Sequence, residues 1–148
     1  MTDLGASPLG HATTYAEKYD PDLLFPVERA PQRAALGFGA ELPFHGVDLW
    51  TAYELSWLDA AGKPQVAIAT FTVPAASPRL VESKSVKLYL TAFNQTRFTG
   101  EGEIAATIAR DLGAAAGATV DVRLTPPEGF AALPRAEHLE ARAQHLLP

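Results

Sequence analysis

A chain of 148 residues, 47% hydrophobic and 20% charged, has the composition of one soluble globular domain with its own core. It contains no cysteine, which excludes disulfides, thiolate metal sites and a cysteine nucleophile within this sequence. The formal net charge of −5 argues against a surface that coats nucleic acid. No apolar stretch approaches the roughly 18 residues of a membrane span, and the start lacks a signal-peptide pattern. We therefore expect a cytoplasmic protein without nucleic-acid or membrane partners.

The first residues predict an extended arm that lies over the domain and contributes no core element. They are rich in Gly, Pro, Ala and Asp, without a sustained period. Three prolines interrupt the apolar part of this segment, at Pro21, Pro26 and Pro31. We expect residues 1–43 to form this arm, residues 44–125 to form the folded core, and residues 126–148 to be a tail or a linker toward a second half.

Residues 47–73 predict a β-hairpin. The segment VDLWTAYELSWL alternates in hydrophobicity, as a strand with one apolar face does. That face is expected to hold Leu49, Thr51, Tyr53, Leu55 and Trp57. The turn DAAGKP contains Gly62 and Pro64, and QVAIATFTV predicts the returning strand.

Two helices are predicted after the hairpin. VESKSVKLYL opens the first, in which Val86, Leu90 and Phe93 fall on one helical face, and we expect it to run to about Arg97. The second is predicted over residues 103–117, EIAATIARDLGAAAG, after a start rich in acidic side chains.

A third strand, ATVDVRL, is expected to end at Leu124, and the segment EHLEARAQHLLP could form a short amphipathic helix. The order ββαα followed by β predicts an α+β fold, with an antiparallel sheet and two helices packed on one face. A fourth strand would normally complete such a sheet, and the sequence does not clearly supply one. Because small sheets have open edges, we expect assembly with further copies or with a second half.

The stretch VESKSVKLY combines groups that could hold a nucleotide-like ligand. A helix N-terminus attracts anions, and Lys84 and Lys87 would add positive charge for a phosphate. Ser83 and Ser85 could bond a phosphate oxygen or a ribose hydroxyl, whereas Glu82 could accept the paired N–H groups of a guanine-like base. The alternative is that Glu82 complements the helix dipole, Ser83 helps to cap the helix and both lysines are solvated. From the pattern alone, this alternative is the commoner arrangement.

Two further polar residues stand beside predicted elements. His45, in PFHGVDLW, precedes a strand and could be a general base, a ligand or a structural histidine. Arg97, in FNQTRF, could clamp a phosphate or an interface carboxylate, or could complement the C-terminus of a helix. The histidines show no metal-ligand spacing, so we expect no metal site.

Three segments together, LPFHGVDLWTAYELSWLDAAGKPQVAIATFTV, LVESKSVKLYLTAFNQTRF and the acidic helix with ARDL, carry a family resemblance over roughly residues 12–124. The chain resembles the amino-terminal half of the bimodular NADPH-dependent 7-cyano-7-deazaguanine reductases, the nitrile reductases of queuosine biosynthesis, a tRNA modification. The resemblance implies a tunnelling fold (T-fold), in which ββααββ units assemble into barrels. It also implies that Val81, Glu82 and Ser83 contact the deazaguanine substrate, and that Ser83 and Lys84 contact NADPH.

The reaction that the resemblance implies needs a cysteine, which adds to the nitrile to give a thioimide that two hydrides from NADPH then reduce. In the bimodular type this cysteine lies in the carboxy-terminal half, and the present sequence has none. We therefore expect no catalytic residue in this chain, which should be inactive alone and need a carboxy-terminal half or partner chain. Neither His45 nor Asp48 is assigned a catalytic role in place of the residues that the resemblance puts in the carboxy-terminal half. The alternative is a non-catalytic T-fold module that binds a purine-like ligand or drives oligomerisation.

Overall fold

The structure, a computed structural model, describes residues 18–133 and has an α+β fold with antiparallel sheets. Its strands are β1 (Pro26–Glu28), β2 (Val47–Leu58), β3 (Pro64–Pro74), β4 (Arg79–Val81) and β5 (Asp121–Thr125). Its α-helices are α1 (Ala30–Ala35), α2 (Ser83–Thr91) and α3 (Glu101–Ala116). Shorter 3₁₀ helices span Pro21–Leu23, Ala92–Gln95 and Pro127–Ala132. The helix that EHLEARAQHLLP could form lies outside the described residues.

The main sheet has the strand order β2-β3-β5, with both pairings antiparallel. The expected hairpin is confirmed, and its turn is closed by Asp59, whose Oδ1 accepts the backbone N–H groups of Ala61 and Lys63, both at 2.9 Å. Gly62 occupies this turn with φ of 85°, a conformation that favours glycine. Within residues 18–133 the main sheet has three strands, and β1 and β4 form a separate antiparallel pair.

A β-bulge interrupts β2 at Tyr53 and Glu54. The pairing with β3 shifts between Ala52 and Leu55, so two residues of β2 stand opposite the single residue Ile68. An extra residue in one strand reverses the alternation of its side chains, because the period of a strand is two. Before the bulge, the even-numbered residues of β2 therefore face the helices, and after it the odd-numbered residues do.

The bulge corrects the expected face of β2. Leu55 and Trp57 are buried, as the alternation predicted. Leu49 and Tyr53, expected on the same face, are instead 61% and 72% exposed. Before the bulge it is Trp50 that packs against the core. The prediction was wrong for the first half of the strand because the sequence pattern carried no sign of the inserted residue.

The hydrophobic core lies between the inner face of the main sheet and the helices α2 and α3. Phe71 of β3 belongs to it, together with Tyr89 of α2 and Phe93 of the following 3₁₀ helix. Ile104 and Ile108 of α3, one turn apart, are fully buried. The spacing of apolar residues at intervals of three and four thus identified the buried faces of both helices.

The helix ends differ slightly from the expected ones. The first helix is α-helical only to Thr91 and continues as a 3₁₀ turn to Gln95, so it stops before Arg97. The second begins two residues earlier than predicted and ends at Ala116. The following Gly117 has φ of 72° and donates its N–H to the Gly113 carbonyl at 2.8 Å. A left-handed glycine of this kind is a common helix C-terminus.

The segment before β2 contributes to the core, which corrects the expectation of an arm without core elements. Leu24 belongs to the core cluster and Val27 of β1 is buried. β1 pairs with β4, which joins β3 to α2. The prolines that argued against a core element are compatible with a three-residue strand, because Pro26 stands at its first position.

A buried carboxylate joins the same N-terminal segment to both long helices. Asp111 of α3 accepts the hydroxyl groups of Tyr19 at 2.6 Å and of Tyr89 at 2.7 Å on one oxygen. Its other oxygen accepts Nε–H of Arg110 at 2.9 Å. The ring of Tyr19 also stacks on Phe93, with 5.4 Å between the ring centroids. Burial, together with the hydrogen bond to Asp111, raises the pKa of Tyr89.

Replacing Tyr89 by Phe should lower the free energy of unfolding by about 1.5–3 kcal/mol at neutral pH, because Asp111 loses a buried donor. The raised pKa means that the folded protein retains the phenolic proton where the unfolded chain loses it. Stability from this term is therefore complete below about pH 10 and falls as the pH rises further. Urea unfolding from about pH 8 to about pH 11 should show a steeper loss for the wild type than for Tyr89→Phe.

Tyr53→Phe is the matched control, since Tyr53 is largely exposed on β2. It should leave the free energy of unfolding at neutral pH unchanged. Equal losses for the two tyrosine variants would show that the Asp111 hydrogen bonds do not stabilise the fold.

Candidate functional site

The N-terminus of α2 is capped by the glutamate of the ESKSVKLY motif. Glu82 has extended backbone angles, φ −66° and ψ 135°, which place its side chain over the first turn of the helix. One carboxylate oxygen accepts the backbone N–H of Lys84 at 2.7 Å and the other accepts that of Ser85 at 2.8 Å. Only 9% of Glu82 is exposed. The dipole-complementing role considered for this residue is thus correct, and Glu82 is itself the cap.

The two serines of the motif have different surroundings. Ser83 is exposed at the first position of α2. Ser85 is fully buried, donates its hydroxyl to the Glu82 carbonyl at 2.6 Å and accepts the N–H of Phe25 at 3.0 Å. Ser85 therefore holds the N-terminal segment against the cap and is not exposed to a ligand in solution.

The backbone of Phe25 completes this arrangement. Its carbonyl accepts the N–H of Glu82 at 2.9 Å, while its own N–H reaches Ser85. The pairing of β1 with β4 continues directly from this point, with Pro26 opposite Val81. The segment from Val81 to Ser85 is therefore fixed by backbone hydrogen bonds to an N-terminal segment that is distant in sequence.

The expected site residues fall into two groups. Val81 is buried in β4 and Glu82 is nearly buried, so both are part of the support of the helix start. Ser83 and Lys87 are exposed and Lys84 is half-buried. The positive end of the helix dipole and the two lysines give this turn a positive potential that Glu82 offsets in part. The structure thus brings the motif residues together at one helix terminus.

A groove of about 370 Å³ opens between α2 and the bulged part of β2. Ser83 and Lys87 line its helix side, and Tyr53 and Glu54 of the bulge line its strand side. Its apolar floor is formed by Trp50, Leu55, Phe71, Val86 and Leu90. This volume lies near the lower end of the range for small-molecule sites. Glu54 and Trp50 were missed by sequence reasoning, because only the bulge directs this part of β2 toward the helix.

His45 and Arg97 are not among the residues that line the groove. His45 is exposed in the loop before β2. Arg97 donates to the Ala60 carbonyl at 2.9 Å and packs on Gly62, so it braces the hairpin turn. His11, His138 and His145 lie outside the described residues. Among residues 18–133, no three His, Cys, Asp or Glu side chains are grouped as metal ligands would be. In the same part of the chain, no helix is long and apolar enough to cross a membrane.

These features define an α+β domain whose sequence contains no cysteine, in which a helix start held by a strand pair lies beside an open amphipathic groove. Its family follows from sequence comparison. The chain belongs to the family described as nitrile reductase, 7-cyano-7-deazaguanine-reductase N-term, whose sequence pattern matches residues 15–124.

Curated relatives share more than half of their aligned residues with this chain. The NADPH-dependent 7-cyano-7-deazaguanine reductase of Paraburkholderia xenovorans is 59% identical over 127 residues, which are 86% of this chain and 46% of that protein. The protein of the same name from Chromobacterium violaceum is 58% identical over 127 residues, 85% of this chain and 46% of the relative. The protein of the same name from Bordetella parapertussis is 57% identical over 134 residues, which are 90% of this chain and 49% of the relative. The chain therefore spans about half the length of the curated relatives it matches.

The cap can be tested by its contribution to stability. Glu82→Ala should lower the free energy of unfolding by about 0.5–2 kcal/mol, because two backbone N–H groups lose their acceptor. Ser83→Ala, one residue further on at an exposed position, should cost much less. Thermal unfolding of the two variants measures the difference. A loss for Ser83→Ala as large as that for Glu82→Ala would mean that the carboxylate does not stabilise the helix start.

Proposed function

We propose that this chain is the amino-terminal module of a nitrile reductase that converts 7-cyano-7-deazaguanine to 7-aminomethyl-7-deazaguanine with NADPH, in the cytoplasm. The observation that carries the proposal is the family motif at a capped helix N-terminus, in a chain that lacks the thiol. In this proposal the chain supplies contacts to substrate and cofactor. The nucleophilic cysteine comes from a carboxy-terminal half or a partner chain.

Glu82 is proposed to hold the deazaguanine base. Two backbone N–H groups already fix its carboxylate, so its orientation is set before any ligand arrives. A carboxylate offers about four lone-pair directions, of which the cap uses two. The remaining two can accept the ring N–H and the amino group on one edge of a guanine-like base. Val81 and Ser83, on either side, would contact the same base.

Ser83 and Lys84 are proposed to contact NADPH, the hydride donor of the reaction. The exposed hydroxyl of Ser83 lies at the positive end of the α2 dipole, where a phosphate oxygen is favoured. The half-buried Lys84 follows directly, and a lysine there adds a compact positive charge. The groove beside Ser83 is open, as a site for an extended dinucleotide requires.

A T-fold assembly is proposed as the setting of this site. β2 and β5 are the outer strands of the main sheet, and open edges can pair with strands of another half or another copy. The apolar side chains of Val47, Leu49 and Tyr53 on β2 are exposed in the single chain. Contact with a second half, and with further copies in a homo-oligomer, would cover them.

A chimera tests the proposed activity. This chain should replace the matching amino-terminal half of the Paraburkholderia xenovorans reductase, leaving the rest of that protein unchanged. We expect NADPH oxidation that depends on 7-cyano-7-deazaguanine and formation of the aminomethyl product. This chain by itself should show no turnover. A folded chimera without activity would contradict the proposal.

The same materials separate the alternative function, a non-catalytic purine-binding or oligomerising module. The absence of cysteine is the observation that favours it. Calorimetry on this chain alone, with 7-cyano-7-deazaguanine and with NADPH, is the measurement. Tight binding without a partner would favour the module, whereas binding only in the chimera indicates a site shared between two halves.

The division of labour within the motif gives a second test in the chimera. Glu82→Ala should weaken binding of the base much more than binding of NADPH. Lys84→Ala should act mainly on NADPH, with a strong dependence on salt because the contact is electrostatic. Separate titrations of the two ligands measure both effects. Equal losses for both ligands in Glu82→Ala would show that this residue serves the helix cap alone.

A further inference from the structure

Arg29 is a buried cation beside the support of the candidate site. It follows β1, and only 9% of the residue is exposed. Its backbone N–H donates to the Pro78 carbonyl at 3.0 Å, which extends the pairing of β1 with β4 by one residue. Its guanidinium group forms an ion pair with Asp48, near the start of β2. Asp48 is the more exposed partner, with 40% of its side chain accessible.

One donor of this guanidinium group is unused. In the part of the chain that the structure describes, Nε of Arg29 is the buried side-chain atom without a hydrogen-bond partner. Arg29 and Asp48 line a cavity of about 20 Å³ together with Trp50 and Val81. A cavity of this size can hold about one water molecule. The cavity therefore separates the ion pair from Val81, the residue that precedes the Glu82 cap.

Among residues 18–133, the ion pair connects two groups of strands that no backbone hydrogen bond joins. Residues 25–29 run antiparallel to residues 78–82 and are bonded to them at both ends. Asp48 belongs to the main sheet and pairs with Val73 of β3. It lies on the same face as Trp50 because the bulge comes later in the strand. The Arg29 side chain thus ties the strand that supports Val81 and Glu82 to the sheet that forms the other wall of the groove.

We propose that Arg29 is a positioning residue: through its ion pair with Asp48, it sets where the base-binding turn at Val81 and Glu82 lies relative to β2. The inference rests on the proposed function, since it assigns Arg29 and Asp48 to the support of the base-binding turn. A planar guanidinium group suits this role, because its donors have fixed directions and its charge is permanent. Neither side chain contacts the base in this proposal.

Kinetics of the chimera described above test the role of the pair. Arg29→Met and Asp48→Asn should each raise KM for 7-cyano-7-deazaguanine by roughly tenfold. A change of that size corresponds to the loss of one hydrogen bond to a charged group. KM for NADPH should change less than about twofold, since Lys84 is not among the residues that line the cavity. The double variant should be no worse than the worse single one, because either change breaks the same pair. Additive losses, or equal effects on both ligands, would overturn the proposal.

Arg33→Met is the matched control. Arg33 lies on α1 in the same N-terminal segment and donates to the Ala75 carbonyl, away from the cavity. It should leave both KM values unchanged. Asp48→Asn is the variant least expected to disturb folding, since the Asp48 side chain is partly exposed and asparagine has nearly the same size and shape.

A measurement made without ligand distinguishes the positioning role of Arg29 from the proposed reductase function. Amide hydrogen exchange at Glu82 and Ser85 should become faster in the chimera when Asp48 is replaced by Asn, and should not respond to Arg33→Met. An inactive chimera that shows this pattern would contradict the proposed function and leave the positioning role standing. Unchanged exchange at both amides would overturn the positioning role whatever the activity.

Discussion

The position of the candidate site depends on the hydrogen bonds between the backbone of Phe25 and residues Glu82 and Ser85. They join a segment near the start of the described chain to the first turn of α2, about sixty residues later. Without them, the pairing of β1 with β4 would stop at Val81, one residue before the cap. With them, the cap carboxylate is fixed from both sides, by the helix that it caps and by the strand pair behind it. In the base contact proposed for Glu82, such a carboxylate would need little rearrangement when a ligand arrives, and preorganisation of this kind favours affinity.

Sequence periodicity was sufficient for the hairpin, both long helices and the location of the motif at a helix start. These elements follow from local patterns, and local patterns are visible in a single sequence. The bulge at Tyr53 and Glu54 was not predictable, because an alternating strand with one inserted residue still alternates on either side of it. The burial of Ser85 and the exposure of Ser83 could be predicted in part, since Ser85 precedes Tyr89 by one helical turn and lies on the same buried side of the helix. The partner of Ser85, a backbone N–H at Phe25, depends on tertiary structure.

The motif is divided between buried and exposed residues, so the capping role that the pattern alone favoured accounts for only part of it. Glu82 and Ser85 bond the protein itself, whereas Ser83 and Lys87 line the groove. Capping and ligand binding therefore do not exclude one another at this helix start. The absence of cysteine limits the chemistry of this chain. A covalent step in which a thiol adds to a nitrile would need a thiol from outside this sequence.

The bulge in β2 also determines what the two tryptophans of this chain can report. Trp50, before the bulge, lines the groove and the small cavity beside Arg29. Trp57, after the bulge, is only 3% exposed and belongs to the core. Since the whole sequence has two tryptophans, its intrinsic fluorescence combines one fluorophore at the candidate site with one shielded from it. Removing the indole of Trp57 would leave an emission spectrum that comes from the groove alone, so ligand arrival could be followed optically without an attached label.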